Sequence, residues 1–409
     1  MSLTVNHLPV LTWNHLNLNE TTMETAVCGQ EERQNIQRGT NPSHCLRSAL
    51  PDGITLQEGV DDAALQEIFD SLGIENPSEK IVAGKVPMYN RQRFATGMGA
   101  EIDALFEEKN IAASVYTVDS GYHGDAPVVL HYEFPRGDGE LDRIFLHAKA
   151  GSESTFLLYY SAKELEEQQL TPADRVEQPE KVIPRPALIG AQTYIYLEEG
   201  AKVHLHVVQM LHKHDTFFHD IGAYSNKYSE FTLTKLDLGS RTVYEGLNEL
   251  QAGDKSNFVV DFGYLGLPKS RMDINYNDVF LGKKAKGRMY FKEALLGNAE
   301  KTFRGTIDFR QYSTGSEGDE QEDIILLGDD VVNKTIPLIL CEEEDVDGRH
   351  ASTIGSLAED MLFYMQTRGI SKKKAEEIMV RASINHISEM VPSESVRRSV
   401  KNAICRVFE

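Results

Sequence analysis

Short hydrophobic runs dominate the middle of the chain, from about residue 111 to residue 341. They are rich in Val, Ile, Tyr, Phe and Thr, the residues that pleated strands favour. The runs recur about every ten to fifteen residues, and no helical pattern intervenes. Because a β-sandwich has fewer strands, this pattern predicts a parallel β-helix, a β-solenoid in which each turn stacks on the one before it. Examples are PVVLHYEF, RIFLHAK, TYIYLEE, KVHLHVVQM, NFVVDFGYL and RMYFKEALL.

Helical periodicity is confined to the two ends of the chain. Apolar residues of the segment DDAALQEIFDSLGI recur at helical spacing after an acidic start, and NRQRFATGMGAEIDALFEEKN predicts a second helix. KKKAEEIMVRASINHISEM and ESVRRSVKNAICRVFE predict helices in the tail. The polar segment STGSEGDEQED (residues 313–323) predicts a projecting loop. The predicted regions are an N-terminal helical region (1–110), a β-helix core (111–345) and a C-terminal helical region (346–409).

Composition and charge narrow the classes of partner. The 409 residues include 42 Lys plus Arg against 63 Asp plus Glu, a formal net charge of -21, which disfavours nucleic acid as a partner. The first residues have no basic and apolar leader, and no run approaches the roughly 20 apolar residues of a membrane helix. We therefore expect a cytoplasmic protein with no membrane partner. Without a GxxxxGK[ST] phosphate loop, the chain is expected to bind no nucleotide.

The cysteines argue against two common kinds of site. Cys28, Cys45, Cys341 and Cys405 are widely scattered and form no CxxC pair. This spacing disfavours a disulfide framework and a self-contained structural zinc site. Any metal ligands would have to come from distant parts of the chain or from a second subunit.

A single histidine, His350, stands where the β-region is expected to give way to helices. An acidic run, Glu342–Asp347, precedes it, and Cys341 is the nearest thiol in sequence. His350 fits either a structural role, capping the next helix or bonding a backbone carbonyl, or a ligand role, because imidazole binds iron and other transition metals. Cys341 fits either a small core residue or a thiolate ligand. The acidic run fits either a hard-cation site or a solvated turn.

A second group of histidines lies in VHLHVVQMLHKHDTFFHD. Residues two apart on a strand share a face, so the pairs His204 with His206 and His212 with His214 could chelate a divalent ion. His219 is the fifth member of the group. No carboxylate or cysteine completes a known ligand spacing, and polar alternation on a solvent-facing turn explains the same pattern.

Four motifs in the last third of the chain resemble a known family. FRGTIDF (303–309) is similar to a rung of the form F.G.I.V, and Gln321 with IILL (324–327) is similar to a Q..NLLL strand. PLILCEEEDVDGRHASTIG (337–355) and LFYMQTRGI (362–370) follow. Together and in this order they resemble the SufB/SufD family of iron–sulfur cluster assembly proteins.

The resemblance implies a right-handed parallel β-helix with helical ends and a non-catalytic role. Members of the family act as scaffold subunits that pair through their β-helices and recruit SufC, a separate ABC-type ATPase. The contact with the ATPase would lie on the C-terminal helical region, which also fits packing against the last β-rung. The residues that the motif assigns to this contact are Leu362, Phe363, Tyr364, Arg368 and Gly369.

The resemblance also implies a role for His350. It aligns with a histidine that SufD-type members place at the heterodimer interface, which implies that His350 contributes to a transient iron–sulfur cluster or iron site. Cys341, the only cysteine near this junction, is the thiol that could share that site. Gly348 stands where SufD-type members often have cysteine, and Ala351 replaces the usual glycine. The SufB branch has a glutamate where His350 stands, so the histidine favours a SufD-type or undifferentiated SufBD protein. Such a protein would pair with itself or with a SufB-like subunit through residues 300–345.

Two other functions remain open from the sequence. β-Helix polysaccharide lyases and hydrolases use the same kind of fold with aligned Asp or Glu residues along a groove. A structural β-solenoid adaptor would need no site at all. The absence of a secretion signal argues against the lyase.

Overall fold

The computed structural model describes residues 2–10, 16–25, 44–73, 95–163, 186–356 and 359–409, with twenty strands and five helices in these ranges. The first ten strands are β1 (Ser2–Val5), β2 (Thr21–Glu24), β3 (Cys45–Arg47), β4 (Ile54–Val60), β5 (Ala113–Val118), β6 (Val128–Phe134), β7 (Leu141–Ala148), β8 (Glu153–Ala162), β9 (Leu188–Leu197) and β10 (Lys202–Met210). The others are β11 (Thr216–Ser225), β12 (Glu230–Asp237), β13 (Thr242–Gln251), β14 (Asn257–Gly266), β15 (Arg271–Phe280), β16 (Lys286–Leu296), β17 (Glu300–Phe309), β18 (Ser316–Leu327), β19 (Val332–Cys341) and β20 (Val346–Ser356). The helices are α1 (Asp62–Ser71), α2 (Ala100–Lys109), α3 (Glu359–Thr367), α4 (Lys372–Glu389) and α5 (Glu394–Val407).

The strands after β4 alternate between two nine-stranded sheets. The even sheet contains β3 and the even-numbered strands β6 to β20, and the odd sheet contains β4, β5 and the odd-numbered strands β7 to β19. Neighbours in each sheet are parallel, except that β3 pairs with β6 and β4 with β5 in antiparallel fashion. The predicted parallel β-solenoid is thereby confirmed, with about eight turns.

Similar apolar side chains stack along the inside of the solenoid. Leu205, Leu233, Val260 and Met289 occupy one register position on four successive strands of the even sheet, and all are buried. Burial of one such side chain stabilises the fold by about 1.5–3 kcal/mol. Each turn therefore completes the core of its neighbours, as expected for a stacked repeat.

Helices cover the outer face of the even sheet. Val380, Ile384 and Ile387 of α4 pack with Leu236 and Leu265, which project outward from the sheet. The apolar stripe of α4 thus removes from water a sheet face that the interior does not use. The two amphipathic helices predicted for the tail are confirmed as α4 and α5. None of the helices in the described ranges combines the length and apolar composition that a bilayer crossing requires.

The N-terminal region covers the outer face of the odd sheet with helices and strands together. Both predicted helices are present: Asp61 caps α1 by accepting a bond of 2.9 Å from the backbone N–H of Ala64, and Phe106 of α2 packs on Phe218. Residues 90–94 of the second predicted helix lie outside the described residues. The expectation of a purely helical region is corrected by β1 to β4. The Arg304 side chain donates to the carbonyl of Leu18, which holds this segment across a late turn.

The predicted loop at residues 313–323 is wrong. Most of this segment belongs to β18, which runs parallel between β16 and β20. Its inward positions include Glu320 and Glu322, which are buried because basic side chains inside the solenoid pair with them. A strand whose inner face is charged has the composition of a loop, so the composition of residues 313–323 indicated a loop where a strand is present.

The β-region also continues past the expected boundary at residue 345. β20 runs to Ser356, and α3 begins only at Glu359. His350 therefore lies inside a strand, and it is neither a turn residue nor the cap of a helix. Although β20 is largely polar, it forms a strand because every residue from Val346 to Ser356 pairs with a residue of β18 in parallel register.

Candidate metal site at the open end of the solenoid

The final turn of the solenoid, β19 and β20, leaves the interior open. Within the described ranges β19 pairs only with β17, and β20 pairs only with β18. Interior side chains of this turn are therefore partly exposed: Ile339 is 38% and Ile354 48% exposed. A β-carbon on Gly348 would lie 3.0 Å from the Phe309 ring and 3.1 Å from Ile339, so this position of β20 faces the interior.

His350 faces the same interior because it lies two residues beyond Gly348. Its Nδ1 is 2.8 Å from Oε1 of Glu320, the register partner on β18. The Glu320 side chain is 2% exposed and the imidazole 24%. Burial raises the pKa of Glu320 above its usual range. The hydrogen bond to Glu320 raises the pKa of His350.

A buried ionic cluster lies behind this pair. The Lys301 ammonium contacts the carboxylates of Glu293 and Glu322, and all three side chains are fully buried. Burial raises the pKa of Glu293 to about 7. Thr335 and Ser352 donate to Glu322 Oε2 over 2.8 and 3.2 Å. The sequence did not reveal this cluster, although the two-residue spacing of Glu320 and Glu322 matches the strand period.

Cys341 and His350 are not brought together. Cys341 is exposed at the end of β19, opposite the start of β20, whereas His350 lies four residues into β20. At about 3.3 Å per residue this separates them by roughly 13 Å along the strand. Ile339 and Gly348 lie between them. Within the described residues, no group of three or more His, Cys, Asp or Glu side chains has a metal-binding arrangement.

The acidic run before His350 closes the last turn. The Glu343 carboxylate accepts bonds from the backbone N–H of Tyr312 at 3.2 Å and from the Thr314 hydroxyl at 3.3 Å. Asp347 forms an ion pair with Arg349. These contacts agree with the solvated-turn interpretation of the run.

Neither Cys45 nor Cys405 lies on the last turn of the solenoid. Burial raises the pKa of the Cys45 thiol, on β3 at the opposite end of the solenoid, to about 12, which disfavours the thiolate that a metal requires. Cys405 lies on α5, and Cys28 lies outside the described residues.

The histidines of the second group form no metal-binding cluster of three or more ligands within the described residues. His204 lies 3.8 Å from Glu153 on one face of β10, and burial lowers the pKa of its neighbour His206 to about 4. His219 faces the interior, where it contacts Thr193 and the Lys235 ammonium. His212 and His214 lie in the turn between β10 and β11.

Comparison with known proteins decides the family. The profile described as "SUF system FeS cluster assembly, SufBD core domain" matches residues 136–383, more than half of the chain. The chain belongs to the SufBD family. The resemblance inferred from the late motifs is thus confirmed.

Individual SufBD relatives are distant. The chain is 24% identical to a chloroplastic SufBD family protein of Arabidopsis thaliana over 217 aligned residues. This alignment covers 51% of this chain and 39% of the relative. The chain is also 24% identical over 215 residues to a SufBD family protein of Pyrococcus horikoshii (53% and 48%) and 22% identical over 128 residues to SufD of Bacillus subtilis (31% and 29%). The chain therefore spans less than half of the length of these relatives.

In this SufBD chain the predicted partner-binding residues lie on α3 and in the turn after it. Phe363 is 68% and Tyr364 59% exposed, and α3 has no buried residue. Leu362 is half-buried. The Arg368 guanidinium lies 5.2 Å from the centre of the Tyr364 ring, and Gly369 has a φ of +82° that ends the helix. Packing against the last rung, the alternative role of this segment, does not occur at Phe363 or Tyr364.

Stability of the SufBD chain is expected to fall as the pH rises. Burial raises the pKa of Glu249 and of Asp278, neighbours across β13 and β15, to about 8 each. The folded state therefore holds protons that the unfolded chain releases near pH 4, and this stability is lost as pH rises towards 8. Urea unfolding measures the free energy of unfolding at each pH. Between pH 5 and 8, Asp278→Asn should reduce the fall of this free energy by about 1 kcal/mol per pH unit. Asp125→Asn, at an exposed position, is the control, and equal slopes in both variants would contradict the assignment.

Proposed function

We propose that this chain is a non-catalytic scaffold subunit of a SUF-type iron–sulfur cluster assembly complex, of the SufD type or undifferentiated. The observation that carries the proposal is the placement of His350, which faces the open end of a SufBD solenoid and is held by a buried carboxylate. An imidazole in that position can receive iron from outside while its other nitrogen is fixed within the protein.

Iron or a nascent cluster is the cargo of this site, and a partner subunit completes it. His350 supplies one nitrogen, and Cys341, about 13 Å away along the strand, is too far to share the same iron atom in one chain. The missing ligands would come from a second subunit that docks on the open end, a SufB-like chain or a second copy. Cys341 would then face a different part of that partner.

Two surfaces support the proposed partners. The free edges of β19 and β20 fit strand-to-strand pairing with another solenoid. The exposed apolar side chains of α3 fit a SufC-type ATPase, which would supply the nucleotide chemistry that this chain is expected to lack. The related SufD of Bacillus subtilis is described as an iron–sulfur cluster assembly protein.

The competing functions find less support. A polysaccharide lyase needs carboxylates in a groove that a sugar chain can enter, whereas Glu293, Glu320 and Glu322 are buried inside the solenoid. A purely structural adaptor would not need a partly exposed imidazole paired with a buried carboxylate. The cytoplasmic location stays a prediction, since one relative is described as chloroplastic.

His350→Ala is expected to lower cluster formation several-fold without changing the fold. The imidazole is near the surface of the last turn, so its loss removes a ligand and little packing. The chain would be co-expressed with a SufB-type and a SufC-type subunit, and iron and acid-labile sulfide would be measured in the anaerobically purified complex.

His214→Ala is the matched control, because His214 is an exposed turn histidine at a distance from the open end. Complex formation by both variants would be checked by size-exclusion chromatography. Full cluster content in His350→Ala would refute the site, and failure of the wild-type chain to join such a complex would refute the function.

A further inference from the structure

The hydrogen bond between His350 and Glu320 constrains only one of the two imidazole nitrogens. Nδ1 lies 2.8 Å from the carboxylate, and no bond to Nε2 is found among the described residues. An ionised carboxylate can only accept, so Nδ1 carries the proton when Glu320 is ionised. The neutral ring then has its lone pair on Nε2, the atom that a metal would bind.

We propose that Glu320, seated against Gly305, is a positioning residue that fixes the Nδ1–H tautomer and the orientation of His350, so that Nε2 is the ligand atom presented at the open end. This inference rests on the proposed function, because it concerns how the same imidazole receives iron. Metal-bound histidines commonly donate their other N–H to a carboxylate, which sets the ring orientation and strengthens the donor.

Gly305 makes room for this carboxylate. A β-carbon at position 305 would lie 1.8 Å from Oε2 of Glu320 and 2.8 Å from the Phe303 ring. The register places Gly305 on β17, in the odd sheet, facing Glu320 across the interior. Alanine at this position would force the carboxylate away from His350. The glycine of the FRGTIDF motif thus has a physical reason beyond backbone flexibility.

Among the described residues, the buried carboxylates nearest to Glu320 already have partners of their own. Glu322, the nearest on the same strand, contacts Lys301 and accepts bonds from Thr335 and Ser352. Glu293 contacts the other side of Lys301. The loss of Glu320 would therefore leave Nδ1 without its acceptor.

The first measurement is the tautomer of His350 in the full chain. Selectively ¹⁵N-labelled histidine resolves the two ring nitrogens by NMR, and the His350→Ala spectrum assigns the signal. At alkaline pH, where the ring is neutral, the wild type should show the Nδ1–H form. Glu320→Met, which keeps the volume and removes the acceptor, and Gly305→Ala, which displaces the carboxylate, should both shift the signal towards the Nε2–H form that predominates in free imidazole side chains.

The second measurement is metal binding at the same residue. Co²⁺ alone would be titrated into the full chain, and the paramagnetic broadening of the His350 signal would report occupancy of this site. Both variants should weaken binding by about 10- to 100-fold. Glu317→Met is the control, because Glu317 lies on the outer face of the same strand and pairs with Lys286 at the surface.

The outcomes separate this inference from the proposed function. An unchanged tautomer in Glu320→Met and Gly305→Ala would overturn the inference, as would a changed tautomer with unchanged Co²⁺ binding. Neither result depends on cluster assembly. Conversely, full cluster content in His350→Ala refutes the proposed function even where Glu320 sets the tautomer. Thermal unfolding of each variant would verify the fold, and Gly305→Ala provides the test should Glu320→Met fail to fold.

Discussion

Replacing Phe363 and Tyr364 with aspartate is expected to abolish the proposed complex with a SufC-type ATPase while the chain remains folded. Both side chains project into solvent from α3, so their replacement disturbs no buried packing and removes the surface contact between Tyr364 and Arg368. Aromatic residues at the centre of an interface are typical hot spots, and two buried carboxylates there would lower affinity by at least about 100-fold. Isothermal titration calorimetry with the purified ATPase measures this loss.

Tyr312→Asp is the matched control for this prediction. Tyr312 is also 68% exposed, but it lies in the turn between β17 and β18 and not on the tail. The control should bind the ATPase like the wild type. The control and the Phe363 and Tyr364 variant should have the same melting temperature. If the Phe363 and Tyr364 variant bound with wild-type affinity, the proposed role of α3 would have to be withdrawn.

The sequence predicted the solenoid because its apolar positions depend on a local rule. Each strand needs alternate apolar residues inside, and positions such as Leu205 and Val260 follow this rule in every turn. The amphipathic stripe of α4 is local in the same sense, since Val380, Ile384 and Ile387 lie three or four residues apart. Features of this kind can be predicted without knowing which strands are neighbours in the sheet.

The candidate site depends on contacts that local patterns do not contain. Glu320 and Glu322 resemble loop residues until Lys301 and His350, about twenty to thirty residues away in sequence, are known to lie beside them. His350 is on the adjacent strand of the same sheet, and Lys301 reaches Glu322 from the opposite sheet. The same holds for Gly305, whose neighbour Glu320 belongs to the opposite sheet. The sequence therefore indicated His350 as a candidate and missed the carboxylate that holds it.

The open end narrows the surface proposed for pairing, which stays a prediction. The sequence favoured pairing through residues 300–345, but β17 is covered on one edge by β15 and on the other by β19. Free strand edges at this end occur only at β19 and β20 in the part of the chain that the structure describes. The surface proposed for pairing is therefore better defined as Val332–Cys341 and Val346–Ser356.

Replacing Ile339 and Ile354 with lysine is expected to prevent this pairing. Both are partly exposed at the open end, on different sheets, so a docked partner would bury them together. Lysine on an edge strand opposes addition of another strand, because the ammonium would have to leave water. Light scattering across a concentration series, with and without a SufB-type subunit, should show an assembly of two solenoid subunits for the wild type and single chains for the variant.

A lysine pair of similar exposure elsewhere on the chain distinguishes this effect from general charge repulsion. Leu46→Lys with Tyr228→Lys serves this purpose, because both positions are exposed and neither lies on β19 or β20. The control should pair normally. The unpaired Ile339 and Ile354 variant should still show the Nδ1–H tautomer of His350, because Glu320 is part of the same chain. Its cluster content should fall, because the partner proposed to complete the site is absent. Normal pairing by this variant would mean that the subunits meet elsewhere, and the proposal that a partner completes the His350 site would fail with it.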